Sequence, residues 1–567
     1  MKNVLSVVSR LVAFTLLALP PASHSQSAPA NPSDDFRTAD RCANCHSKLK
    51  TSKGPGISNN DISIYLDWSA SIMANSARDP YWQGSVRRET IDHPEASAAI
   101  QSECATCHMP LQSLQDKAQN RQTAVFSHLP LHAPNPQNDP QNAAADGVSC
   151  TVCHQIQPAG LGLPATYSGN FSVAPPGTAP RPLFGPFAPE SDNITKVHVM
   201  AAGYSIAQSD HIRDAGLCGS CHTLYTTTRG TDGKSIGQLP EQMPYLEWQH
   251  SDYNGKQTCQ QCHMPAVSEP VAVASLLGKP RDGVRLHTFV GANFLLENML
   301  GAHRDDLAVT AQPADIAAAS ARITSFLQSQ SARVTLITAQ LTPAQPSAAG
   351  ITGPSGRNGI DLSFAVRVEN LTGHKLPTAY PSRRAWLHVV VTSADGHIVF
   401  ESGKLNPDGS IAGNLNDSDP ARFSPHYARI TQPDQVQIFE PILGDSQGRV
   451  TTGLLSATQY LKDNRILPAG FDKATASPDI AVHGEALADP DFTAGSSTTH
   501  YELSTTSATG PFQISVELLY QPVGYRWAHN LVSYLAAEPQ QFVRDYDQAA
   551  PHSAIVLAHA EATVNAP

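Results

Sequence analysis

Cys42-Ala-Asn-Cys45-His46 is the first of five stretches that share the pattern Cys-x-x-Cys-His. The others are Cys104-Ala-Thr-Cys107-His108, Cys150-Thr-Val-Cys153-His154, Cys218-Gly-Ser-Cys221-His222 and Cys259-Gln-Gln-Cys262-His263, and together they use all 10 cysteines of the chain. In this pattern two thiols add across porphyrin vinyl groups as thioethers, and the adjacent imidazole becomes the proximal ligand of the iron. Structural zinc would need two such pairs, or one pair with two histidines closing a tetrahedron. A redox dithiol needs no histidine at the next position. Disulfides would explain an even cysteine count in an exported chain but not five following histidines. Five covalently bound haem c groups are the expectation.

Outward from the motifs, Met1 to about Ser25 reads as a secretory signal, with Lys2 and Arg10, an apolar run from Leu11 to Leu19, and small Ser23 and Ser25 before the expected cut. That run is too short to span a bilayer, and no later stretch is apolar for long enough, so no transmembrane anchor is expected. The expected location is periplasmic or extracellular. Formal charge is −11, or −13 once Lys2 and Arg10 leave. Nucleic acid, which calls for basic patches, is excluded as a partner. An acidic surface suits the basic faces of redox partner proteins, or simply solvent.

The length allows two or three domains. Residues 26–35 read as a flexible leader and residues 36–305 as a pentahaem portion, dense in His, Pro, Gly and Asn and short of long periodic helices. Residues 306–331 form a connector, with an Ala-rich helix from Pro313 to about Gln330 carrying Ile316, Ile323 and Leu327. After Cys262 there is no cysteine, and alternating runs appear at Val334 to Leu341, Leu362 to Val368, Trp386 to Thr392, His397 to Phe400, Gln435 to Phe439 and Ile514 to Tyr520. Ser393-Ala394-Asp395-Gly396 reads as a hairpin turn. Residues 332–567 are therefore expected to form a β-sandwich-like half, and the fold class is α+β: a haem-packed, mostly helical and irregular portion followed by a β-rich one.

A repeat runs through the first portion: Tyr65-Leu66-Asp67-Trp68-Ser69-Ala70-Ser71-Ile72-Met73 matches Tyr245-Leu246-Glu247-Trp248-Gln249-His250-Ser251-Asp252-Tyr253. Each copy is followed by a motif that continues Met-Pro. Between the third and fourth motifs, Pro158 to Pro189 reads as a proline-rich surface loop, with Phe171, Phe184 and Phe187 expected over haem edges.

The sixth ligand of each iron decides between electron carrier and catalyst. The stretch Trp68-x-x-Ser71-x-Met73-Ala74 resembles the Trp-x-x-Ser-x-His-Ala segment of multihaem cytochromes related to the tetrahaem cytochrome of ammonia oxidisers. The histidine of that segment is a distal haem ligand, so the resemblance implies Met73 as a thioether ligand here; a core methionine is the other reading. Tyr253, at the same place in the second copy, departs from the pattern. It is either a phenolate ligand or a tyrosine stacked near the porphyrin. His211 and His287 lie in segments resembling those that carry distal histidines. His374, in the tight loop Gly373-His374-Lys375 ahead of Pro377, is a further distal candidate or a loop histidine bonded to backbone. His250, His93, His198, His128 and His132 are weaker candidates. Arg383 and Arg384 read as propionate partners or as surface cations.

From Phe36 onward the chain also resembles a family of exported bacterial multihaem cytochromes with a β-rich second half. Its marks are segments like Asn370-Leu371-Thr372-Gly373-His374-Lys375-Leu376-Pro377-Thr378 and Lys462-Asp463-Asn464-Arg465-Ile466-Leu467-Pro468-Ala469-Gly470-Phe471. That resemblance implies an architecture, not a reaction.

Three functions compete. One-electron transfer along closely packed haems, to and from redox partners, is preferred. The second is a reductase or oxidase of a small nitrogen or sulfur compound at a haem with an open sixth site. Pentahaem nitrite reductases carry a Cys-x-x-Cys-Lys motif, whereas all five motifs here end in His; Tyr253 and His250 mark the place to look for such a site. The third is a subunit of an extracellular cytochrome assembly, with the β-rich half as the oligomer surface.

Overall fold

The computed structural model describes residues 36–50, 61–132, 142–343, 360–505 and 510–565. The signal expected over 1–25 and the leader over 26–35 lie outside the described residues. Helices and sheets are mixed, as the α+β expectation requires.

Short helices carry four of the motifs through both cysteines, Asp40–His46, Ser97–His108, Cys150–Cys153 and Cys259–His263, and the fourth motif starts in Ala215–Gly219 and runs on into a turn. Positions three apart share a helix face, so a helical Cys-x-x-Cys presents both thiols to one side. Local chemistry fixes these helices. Thr258 and Gln261 form a capping box ahead of Cys259. The longer helix Pro80–Asp92, which lines up beside Ser97–His108, starts at Asp79, whose carboxylate accepts from the N–H groups of Tyr81 and Trp82 at 2.8 and 3.1 Å. The expected connector helix spans Pro313–Gln330 and buries Ile316, Ala319, Ile323 and Leu327 along one stripe.

The second half holds two five-stranded sheets. One runs Arg429–Ile430, Ser496–Thr505, Ile360–Asn370, Ala332–Pro343, with Phe492–Thr493 added on Ser496–Thr505. The other runs Ile398–Ser402, Arg384–Thr392, Phe512–Gln521, Ile555–Val564, with Ile438–Phe439 on Arg384–Thr392. Leu362, Phe364, Val366 and Val368 of the first sheet and Leu387, Val389, Val391, Ile514 and Val516 of the second meet in one apolar cluster. Gly396 closes the hairpin turn at φ +84°, a conformation that costs glycine nothing.

Two long strands of these sheets lie outside the runs expected from the sequence, as do strands elsewhere such as Leu224–Arg229, Ser235–Gln242 and Ala457–Asp463. Ser496–Thr505 is polar except at Tyr501 and Leu503, and Ile555–Val564 is rich in alanine; both are strands because they pair with apolar neighbours already in place. Conversely, the run from Gln435 pairs only over Ile438–Phe439.

The two halves share a core. Tyr81, Ile100, Leu239, Phe294 and Met299 belong to the same buried cluster as the sandwich residues. The helix Ala537–Ala549 returns from the C-terminal half to pack on Pro80–Asp92, with the Phe542 and Tyr81 rings 4.9 Å apart. The motif-bearing helices are thus held against the sandwich rather than beside it.

Candidate functional site

One cavity of about 1960 Å³ runs through the first half and against the edge of the second. All ten cysteines and all five motif histidines line it. Ordinary protein interiors are close-packed with few voids larger than a water molecule, so a cavity of this size walled largely by Trp, Tyr, Phe, Leu and Ile is the form of a site for large flat apolar groups. None of the ten thiols is in a disulfide.

The motifs lie close together. Cys42 and Cys150 are in hydrogen-bond reach of each other, as are Cys107 and Cys221, and Cys218 and Cys259. Cys153 lies near enough to Cys221 to feel its charge. The third motif therefore joins the first to the fourth, and the second and fifth both border the fourth.

The motif histidines are held in one tautomer. Nδ1 donates to a backbone carbonyl in His46 (Val273, 2.6 Å), His108 (Ser76, 3.0 Å), His154 (Phe184, 2.6 Å) and His263 (Val290, 2.6 Å). That arrangement leaves Nε2 bare and directs it into the cavity, the usual device for orienting a metal-binding imidazole. His222 has no such partner among the described residues. Burial keeps these rings neutral, lowering His108 and His222 to about 4.

Two further histidines face motif histidines across the cavity. The rings of His154 and His287 stand 6.4 Å apart at 17°, and those of His263 and His374 stand 6.3 Å apart at 15°. In both added residues Nδ1 is again tied to a carbonyl: His287 to Arg285 at 3.1 Å and His374 to Lys375 at 3.0 Å. Two imidazoles bound through Nε2 to one metal, with bonds of about 2 Å, hold their ring centres about 6.3 Å apart. The donor set and spacing fit haem iron at both places. His198 also lines the cavity, its Nδ1 bonded to the Tyr204 carbonyl at 2.8 Å, and it neighbours His46.

The other sequence candidates fall elsewhere. Both ring nitrogens of His211 are engaged, Nδ1 with Ser209 at 2.6 Å and Nε2 with the Ile156 carbonyl at 2.9 Å, and the residue is not part of the cavity wall. His250 bonds the Asp472 carbonyl and packs edge-on against Phe471. His93 reaches Ser456, and neither His128 nor His132 lines the cavity. Tyr253 lines the wall, but its hydroxyl donates to the Leu371 carbonyl at 2.9 Å. Met73 lines the wall half-buried, and its carbonyl accepts from Val148, two residues before Cys150. Phe184 and Phe187 line the cavity, whereas Phe171 packs with Phe36, Leu111 and Val152. Arg383 lines it and bonds Asn293; Arg384 is instead buried on Asp417 at 2.8 Å.

The repeated block explains how the facing histidines are held. In the first copy, Asp67 accepts the backbone N–H of His287; in the second, Glu247 accepts the backbone N–H of Lys375 at 3.1 Å, next to His374. Each acid faces an arginine, Arg322 for Asp67 and Arg465 for Glu247, the latter at 3.0 Å. The first copy packs beside Cys150 and the second beside Cys259. The block thus serves the third and fifth motifs, although the motif that follows the first copy in sequence is the second. No spacing rule could have found this pairing, because His287 and His374 lie more than a hundred residues from the acids that hold their loops.

No protein-family model matches the chain, and no curated protein matches it. Among solved structures the chain is similar to a penta-heme cytochrome c552 from Thermochromatium tepidum. Sequence identity is 15%, the TM-score is 0.47, and 95% of this chain and 100% of that one are covered.

Proposed function

We propose that the chain is an exported c-type cytochrome that holds five haems and carries single electrons between redox partner proteins. The observation that carries this reading is the single cavity lined by all five Cys-x-x-Cys-His motifs. Bound haem supplies a reversible one-electron iron couple, whose potential follows axial ligand, burial and nearby charge.

The protein's own residues have three tasks in this reading. The ten cysteines anchor the macrocycles. His46, His108, His154, His222 and His263 are proximal ligands, with the backbone carbonyls behind four of them fixing the tautomer. His287 closes the third site, His374 the fifth, and His198 is assigned to the first. Met73 and Tyr253 then become packing residues beside the third and fifth sites, because imidazoles from later loops occupy the facing positions. The haem-bearing portion is assigned to the described residues between 36 and 305, and the sandwich to the described strands from Ala332 to Val564. Among the described residues no helix is long and apolar enough to cross a membrane.

The test is direct. Intact mass of the exported protein should exceed the polypeptide mass by five haems, and a redox titration should resolve five one-electron steps. A lower haem count with free thiols would refute the assignment.

A further inference from the structure

We propose that the site built on Cys104, Cys107 and His108 leaves its sixth iron position open to a pocket formed by Tyr81, Tyr380, Glu89 and Glu241, and binds a small oxyanion there. This rests on the haem assignment above and goes beyond it, since it makes one of the five sites a ligand-binding centre.

The first support is the distribution of imidazoles. Among the described residues three histidines outside the motifs line the cavity: His287 faces His154, His374 faces His263, and His198 neighbours His46. None of the three stands across from His108 or His222, and what borders each of these two motifs decides between them. That ring is nevertheless fixed as a proximal ligand would be, by the Ser76 carbonyl on Nδ1 and by face-to-face stacking on Trp82 at 4.6 Å and 4°.

The second support is what borders this motif instead. Tyr81, Ser85 and Glu89 follow one another on the cavity face of the helix Pro80–Asp92, which packs beside the helix that ends in His108. The Tyr81 and Tyr380 hydroxyls are hydrogen-bonded, with their rings edge-on at 5.7 Å.

 Tyr81 also bonds Ser85, and both phenols stay neutral because burial raises them. Glu89 is 5% exposed; one carboxyl oxygen accepts the Leu454 N–H at 2.8 Å, and the other, Oε2, has no partner among the described residues. Glu241 is held by Thr226 and by Gln242 at 2.9 Å. The charges of Glu241 and Glu89 both act on Cys104, which places them at this motif.

The chemistry follows from burial. Desolvation lifts Glu89 to about 7 and raises Glu241 in the same direction. The Tyr81, Tyr380 and Ser85 hydroxyls are O–H donors whatever the state of the two carboxyl groups, and such donors suit the oxygens of a small anion bound to iron. The pocket lies at one end of the motif order, bordering only the fourth motif through Cys107 and Cys221.

Nitrite is the probe, used on the ferric holoprotein after mass analysis has confirmed five haems, so that failure of haem attachment is seen separately. The expected result is a high-spin signal in the resting protein that nitrite shifts. Tyr380→Phe and Tyr81→Phe should each weaken nitrite binding about tenfold or more, since a hydrogen bond to a charged group is lost, while the low-spin signals stay unchanged. A wholly low-spin resting protein overturns the proposal. So does nitrite binding that both substitutions leave unaltered, or a high-spin signal that appears only in Met73→Ala, which would put the thioether on this iron.

Discussion

Glu247 accepts the backbone N–H of Lys375 at 3.1 Å, and in doing so fixes the loop that sets His374 opposite His263. The same carboxylate oxygen takes the Thr378 hydroxyl, and the other oxygen meets Arg465 at 3.0 Å. Arg465 and Lys375 in turn share Asp463, each at 2.7 Å. A buried charge network of this kind is costly to open, because each partner left behind is uncompensated. Glu247→Ala should therefore lower stability by about 3 kcal/mol and convert part of one low-spin haem signal to high-spin. Denaturant unfolding and electron paramagnetic resonance on the same sample check both effects; a stability loss with every haem signal intact would make Glu247 structural only.

The two facing histidines give a sharper test. His374→Ala and His287→Ala should each turn one low-spin haem high-spin and let one equivalent of carbon monoxide more than the unaltered protein binds be taken up on reduction, with the other sites unchanged. The double variant should bind two equivalents more. Absence of added carbon monoxide binding in either single variant would remove that residue from the ligand set.

Met73 and Tyr253 occupy the place where related segments carry a distal histidine, yet the facing positions beside them hold His287 and His374. Met73→Leu, which conserves volume, should leave all midpoint potentials unchanged and cost less than about 1.5 kcal/mol. A fall in one potential on redox titration would identify a lost thioether ligand.

Glu297 ties stability to pH. It is fully buried, both carboxyl oxygens lack hydrogen-bond partners among the described residues, and burial lifts it from 4.5 to about 8 against the opposing pull of Arg322. The unfolded chain releases this proton above 4.5 while the folded chain keeps it up to about 8. The folded state thus binds more protons across that window, and stability falls as pH rises through it. Asp67 and Asp146, each lifted to about 7 by burial, act in the same direction. Denaturant midpoints measured across the window should decline with pH, and Glu297→Gln should flatten the decline. An unchanged slope in the variant would exclude Glu297 as a source.

Much of the architecture was legible because it rests on local patterns. The Pro313–Gln330 helix follows from apolar spacing, and the strands around Val366, Val389 and Val516 follow from alternation. Ser496–Thr505 and Ile555–Val564 escaped because their strand state comes from pairing, not propensity. His211 looked like a ligand from its segment, but hydrogen bonds to Ser209 and Ile156 occupy both its nitrogens.

The five motifs were determined by the sequence alone: thiol pairs and their histidines are covalent-scale patterns, complete within five residues, and need no fold to be recognised. What lies opposite each motif histidine was decided only by tertiary structure. A distal ligand needs no sequence proximity to its iron, only a loop held at the right distance. Asp67 and Glu247 hold those loops by single backbone hydrogen bonds across more than a hundred residues of chain.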